Sequence, residues 1–147
     1  METYTRFIGC KKTETVIRGH RIVADQPPTA GGEDAGPTPP ELLLAALGAC
    51  AAHYAHEYLE ARSLDLIPEV RVVAEKALQP ARLSHFRVQL IVDELEERHR
   101  LGLLRAVSHC LVHQTLVSVP QVEVEVQSGT ARPIRSEPPA VGLQQAA

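Results

Sequence analysis

The chain has 147 residues, 44% apolar and 22% charged, with a formal net charge of −3 at pH 7. That is the size and balance of one globular domain. Aromatic residues make up 3%, Trp is absent, and Lys and Arg form no basic run, which disfavours both base-stacking modules and DNA-groove readers.

The first twelve residues, METYTRFIGCKK, hold no apolar core or cleavage site of a secretory signal. Three cysteines, an odd count, do not describe a secreted disulfide framework. A reducing cytoplasm is the expected compartment, and there a cysteine pair serves catalysis or metal binding more often than structure.

In chain order, Glu2 to Ile8 reads as a strand, Thr13 to Ile17 as a second and His20 to Ala24 as a third. Cys10–Lys12 and Arg18-Gly19 form the turns between them. Asp25 to Thr38 is a long loop of Pro, Gly, Asp and Thr, a length that in a small domain is functional or pinned. Thr38 is a good N-cap, Pro39 suits a first turn, and Glu41 lies three residues on as in a capping box. A helix is expected from Pro39 to about Arg62. From Leu42 to Cys50 it carries no charge, so it is expected to be central and covered on every side. The apolar run is too short to cross a bilayer.

Leu66 to Leu78 and Leu83 to Val92 alternate as a hairpin around Gln79-Pro80-Ala81. Glu94 to His109 takes helical spacing, with Leu101, Leu104 and Val107 on one side. Cys110 to Val117 is a further helix, ended by Pro120. Val122, Val124 and Val126 alternate with Glu123 and Glu125 in a last strand. Residues 1–127 thus form a single α+β domain with a mostly antiparallel sheet, and 128–147 an extended or disordered tail.

Two cysteines fall in predicted helices. Cys50 sits roughly three turns into the long one. Cys110 opens the last, where the positive end of the helix dipole favours a thiolate. Each has a His three residues on, His53 and His113, on the same helix face. Two such pairs could ligate zinc, or each His could orient its thiol. The plainest alternative is two small buried hydrophobes.

The stretch GPTPPELLLAALGAC, from Gly36 to Cys50, resembles the helix start of the OsmC/Ohr family, and Cys110-Leu-Val-His113 resembles that family's second cysteine. Gly31-Gly32, Pro39-Pro40-Glu41 and His-x-x-x-x-Asp-x-Pro over His20 to Pro27 look most like its YhfA-like branch. The resemblance spans about residues 13 to 127. It implies an OsmC-like fold, a sheet wrapped around a long central helix in an intertwined homodimer. It also implies a thiol peroxidase acting on an organic hydroperoxide and recycled by a small dithiol or lipoyl-type reductant. No cofactor, metal, nucleic acid or membrane is implied.

By the same resemblance Cys50 is the peroxidatic and Cys110 the resolving thiol. Arg18, or else Arg21, stabilises the thiolate, and Glu41 orients that arginine. The chain departs from the pattern at Pro40, which stands where the peroxidase branches carry Glu. It departs again at Leu111, which stands where Pro is usual. These departures leave a second reading open, a non-peroxidatic small-ligand or metal-binding protein on the same fold. Cys10 has no counterpart in the family.

Overall fold

The computed structural model describes residues 1–129. The fold is α+β with antiparallel sheets, as expected. The described residues form two compact units, one of Met1–Pro39 together with residues 125–129, the other of Pro40–Val124.

In the first unit, β1 (Tyr4–Gly9), β2 (Lys12–Ile17) and β3 (His20–Ala24) form an antiparallel meander in the order β1-β2-β3. Both turns are two-residue loops with left-handed backbone at each central position. Cys10 (φ 47°) and Lys11 (φ 68°) lie between the pair Gly9–Lys12, and Arg18 (φ 49°) and Gly19 (φ 85°) between Ile17–His20. Such primed turns match the right-handed twist of the strands they join. Glu14, on the middle strand, ties the sheet together. Its carboxylate pairs with Arg6 on β1 at 2.9 Å and with Arg21 on β3 at 2.8 Å.

The long loop after β3 is pinned. Asp25 is 1% exposed, and its carboxylate accepts the backbone N–H groups of Gln26 (2.8 Å), Glu33 (3.0 Å) and Ala35 (3.0 Å). One 3-10 turn, Pro28–Ala30, fills the excursion. Gly32 is required there, because a Cβ would strike the carbonyl of Gln26.

In the second unit, α1 (Pro39–Glu60) buries one stripe, Leu47, Ala51, Ala55 and Leu59, at four-residue spacing. Antiparallel β4 (Glu69–Leu78) and β5 (Ala81–Ile91) offer it a face that includes Val70, Val88 and Leu90. Gly48 lets β4 approach α1, since a Cβ there would meet Val72 Cγ2 at 3.3 Å. Helix α2 (Glu97–Ser108) contributes Leu103 and Val107 to the same core, and α3 (Leu111–Val117) follows. Among the described residues no helix is long and apolar enough to cross a membrane.

Three expectations need correction. α1 is not covered on every side within this chain. Leu43 is 38% exposed, and Ala45, Ala46 and Ala49 are exposed as well. α2 turns Leu103 and Val107 inward, while Leu101 (66%) and Leu104 (51%) face out. A rotation of roughly 100° per residue separates the two faces, and the packing surface decides between them. Finally, Val122 to Val126 forms no strand. Val122, Val124 and Val126 are 79%, 88% and 97% exposed. Alternation supplies an apolar face, but a strand also needs a neighbour to accept its backbone hydrogen bonds. Beyond Gly129 the expected tail lies outside the described residues.

Candidate active site

The second unit brings Cys50 and Cys110 together. Cys50 follows the buried Leu47 by three residues on α1 and precedes the buried Ala51, so it sits at the edge of the packed stripe and is half-buried. Cys110 is 0% exposed and stands at the corner where α2 gives way to α3. Hydrogen bonding shapes that corner. The N–H of Cys110 reaches the carbonyl of Val107 at 3.0 Å, and its own carbonyl receives Gln114 N–H at 2.9 Å to start α3. The carbonyl of Ser108, near the end of α2, accepts both Gln114 Nε2 (2.6 Å) and His113 Nδ1 (2.9 Å). A carbonyl only accepts, so His113 carries a proton on Nδ1.

The two thiols are near neighbours. Burial pushes the Cys110 thiol above its ordinary range, and the proximity of Cys50 pushes in the same direction. The backbone N–H groups of His113 and Val112 are directed at its sulfur and oppose this, without forming a side-chain cap of good geometry. This corrects the expectation of a thiolate at Cys110. The helix does restart there, and the dipole does act, but desolvation outweighs it. Cys110 therefore holds its proton more tightly than a free thiol. A thiol beside a second sulfur is placed to form a disulfide once that second sulfur is oxidised.

A groove of about 480 Å³ opens beside the thiols. Leu47 and Ala51, which flank Cys50, line it together with Phe86, Val88, Leu116 and His113. The wall is mainly hydrocarbon and suits an alkyl or aryl group.

The remaining expected residues have these local settings. Arg21 is engaged by Glu14 in the first unit. Arg18 is exposed at the β2–β3 turn and has no hydrogen bond or ion pair among the described residues. Glu41 lies in the first turn of α1, and both it and Thr38 have interaction partners. The four-ligand zinc cluster does not assemble. His53 is exposed and packs edge-on against Tyr54 at 5.8 Å, and His113 is turned to Ser108. Among the described residues no three His, Cys, Asp or Glu side chains converge as metal ligands.

In the His20–Pro27 motif the working residue is Asp25, not His20, which is exposed on β3. The signal was present: an Asp ahead of a Pro- and Gly-bearing loop readily binds backbone N–H groups. Cys10 sits at the β1–β2 turn near Glu33, whose carboxyl is held low first by its bond to Lys12 (2.6 Å) and then by Cys10.

A family model described as OsmC-like protein matches residues 31–125. No curated protein sequence matches the chain significantly. Among solved structures, the fold is similar to an OsmC-like protein from Mycoplasma pneumoniae, with TM-score 0.70 and 18% identity over 80% of this chain and 87% of that one. It is similar to a hypothetical protein from Aquifex aeolicus VF5, with TM-score 0.64 and 16% identity over 79% and 86%. It is also similar to the organic hydroperoxide resistance protein OhrB of Bacillus subtilis, with TM-score 0.51 and 18% identity over 77% and 87%.

Proposed function

The chain belongs to the OsmC-like family, and from that premise we propose that it is a thiol-dependent reductase of organic hydroperoxides. The observation that carries this reading is the proximity of Cys50 to a fully buried Cys110 whose thiol is pushed up by burial. The mainly apolar groove beside them supports an organic substrate. So does the fold's likeness to the B. subtilis hydroperoxide resistance protein.

The Cys50 thiolate attacks the terminal oxygen of ROOH. The O–O bond breaks, the alkoxide leaves and takes up a proton as ROH, and Cys50 becomes a sulfenic acid. Cys110 then attacks the Cys50 sulfur. Its proton and the sulfenic hydroxyl depart as water, and a Cys50–Cys110 disulfide remains. A small dithiol or lipoyl-type reductant returns both thiols by exchange. Arg18 supplies the positive charge that stabilises the Cys50 thiolate, and Glu41 orients it. The working form is a homodimer. The apolar residues left open on α1 and the unpaired Val122–Val126 segment support that assembly. Three free cysteines suit a reducing, cytoplasmic setting.

One equivalent of cumene hydroperoxide, followed at once by alkylation and peptide mapping, tests the reading. A Cys50–Cys110 disulfide formed within seconds is expected. Two fully alkylated thiols would overturn it. The second reading, a small-ligand-binding protein on the same fold, would then stand, and one observation favours it: neither cysteine lines the groove.

A further inference from the structure

The inner face of the β4–β5 hairpin packs on α1, and its outer face carries a separate feature. Arg71, Val73 and Glu75 on β4 stand opposite Gln89, Arg87 and His85 on β5, and these six residues line a concavity of about 320 Å³. Its floor is Val73, 42% exposed. Arg71 and Arg87 are diagonal neighbours in the ladder, a spacing of about 7–8 Å between backbones that long side chains easily bridge. Neither guanidinium has a hydrogen bond or ion pair among the described residues, and neither does the His85 ring. Several arginines elsewhere do find acceptors: Arg6 and Arg21 meet Glu14, Arg98 meets Glu96, Arg62 and Arg82 meet backbone carbonyls; Arg18, on its turn, has none among the described residues. Two unpartnered like charges held over an apolar floor repel each other, and an anion between them removes that cost.

We propose that this concavity binds a compact phosphate dianion of the phosphomonoester type, held by Arg71 and Arg87 with Gln89 and His85 as further donors. The charge pattern selects the size. Along β4 the same face reads Glu69, Arg71, Val73, Glu75, so carboxylates bound the cationic centre at both ends. A nucleic acid or an acidic protein segment would lay its further charges against Glu69 and Glu75. A single phosphate group between Arg71 and Arg87 stays clear of Glu69, and Glu75, which shares the lining, bounds the site on its other side. Planar guanidinium forks match phosphate oxygens two at a time. The volume is at the lower end for a small-molecule site. The proposal does not depend on the thiol chemistry, because the concavity opens on the face of the hairpin opposite Val72 and Val88.

Calorimetric titration of the full-length protein with inorganic phosphate, at constant ionic strength set with NaCl, tests it. Saturable binding of one phosphate per chain is expected, weakened about tenfold or more in Arg71→Gln and in Arg87→Gln, as loss of a charge-assisted bond implies. Arg82→Gln, at the hairpin tip, is expected to bind like the parent, and far-UV circular dichroism checks that each variant is folded. Absence of saturable binding at 10 mM phosphate (roughly 3 kcal/mol of affinity at most) would overturn the proposal, as would binding that survives both Arg71→Gln and Arg87→Gln. Binding of heparin without binding of phosphate would overturn it too, by assigning the face to a polyanion.

Discussion

The buried thiol of Cys110 lies beside the half-buried thiol of Cys50, and burial favours the proton on Cys110. In the proposed cycle the resolving group is thus stored neutral, inside the protein, near the sulfur it must capture. Two consequences concern chemistry and one concerns stability.

Cys50→Ser is expected to lower thiol-dependent consumption of cumene hydroperoxide by at least about a hundredfold, since no other cysteine has an oxidisable partner beside it. Ferrous-xylenol-orange assay of residual peroxide measures this. Retained turnover would assign the peroxidatic role elsewhere.

Cys110→Ser is expected to complete one rapid turnover and then stall, with Cys50 trapped by dimedone as a sulfenic acid or carried on to sulfinic acid by excess peroxide. Intact-mass spectrometry reads each product by its mass increment. Undiminished multiple turnover by this variant would remove Cys110 from the cycle.

The raised Cys110 thiol links stability to pH. A group that holds its proton more tightly when folded contributes fully below its unfolded value, about 8.5 for cysteine. The contribution is lost as pH rises through the higher folded value. The melting temperature of the reduced protein should therefore fall above about pH 8.5. Cys110→Ala should flatten that fall, although the variant starts from a lower melting temperature. Parallel pH profiles for the two proteins would contradict the assignment.

Leu103→Ala should cost about 2–5 kcal/mol, the range for emptying a buried leucine site. Leu101→Ala should cost less than about 0.5 kcal/mol, as for exposed positions. Their side chains are 2% and 66% exposed. Urea melts of both variants decide which face of α2 meets the core.

If the homodimer buries the Val122–Val126 segment, Val124→Lys should shift sedimentation toward the monomer, because a lysine in an apolar interface must be desolvated. An unchanged sedimentation coefficient would place the interface elsewhere.

Much of this fold is legible in the sequence. The two hairpins and α1 follow from alternation, from turn residues and from an uncharged run behind a capping signal, all of which are local. What the sequence hides is relational. The inward face of α2 depends on where β4, β5 and α1 offer a surface, and Leu101 and Leu103 differ by only two positions. Val122 to Val126 has the pattern of a strand but no neighbour among the described residues. Asp25 is legible as a residue that binds loop N–H groups, but its depth is not, because a carboxylate is buried only when distant amides converge on it, here from Glu33 and Ala35. The meeting of Cys50 with Cys110, sixty residues apart in the chain, was legible only through the family resemblance; no spacing rule predicts it.

The Asp25 clamp also determines what the loop can tolerate. The backbone N–H of Asp25 reaches the carbonyl of Pro37 at 3.3 Å, and its carboxylate holds Glu33 and Ala35. The ends of the excursion are thus stapled to one residue, and the stretch from Pro28 to Ala30 is a hanging ring outside the staple. Lengthening such a ring costs only about 0.6 kcal/mol per doubling. A guest peptide spliced between Thr29 and Ala30 would break the 3-10 turn but would not pull on the chain that leads to Pro39. The same splice between Ala35 and Pro37 would lie inside the staple and spread it.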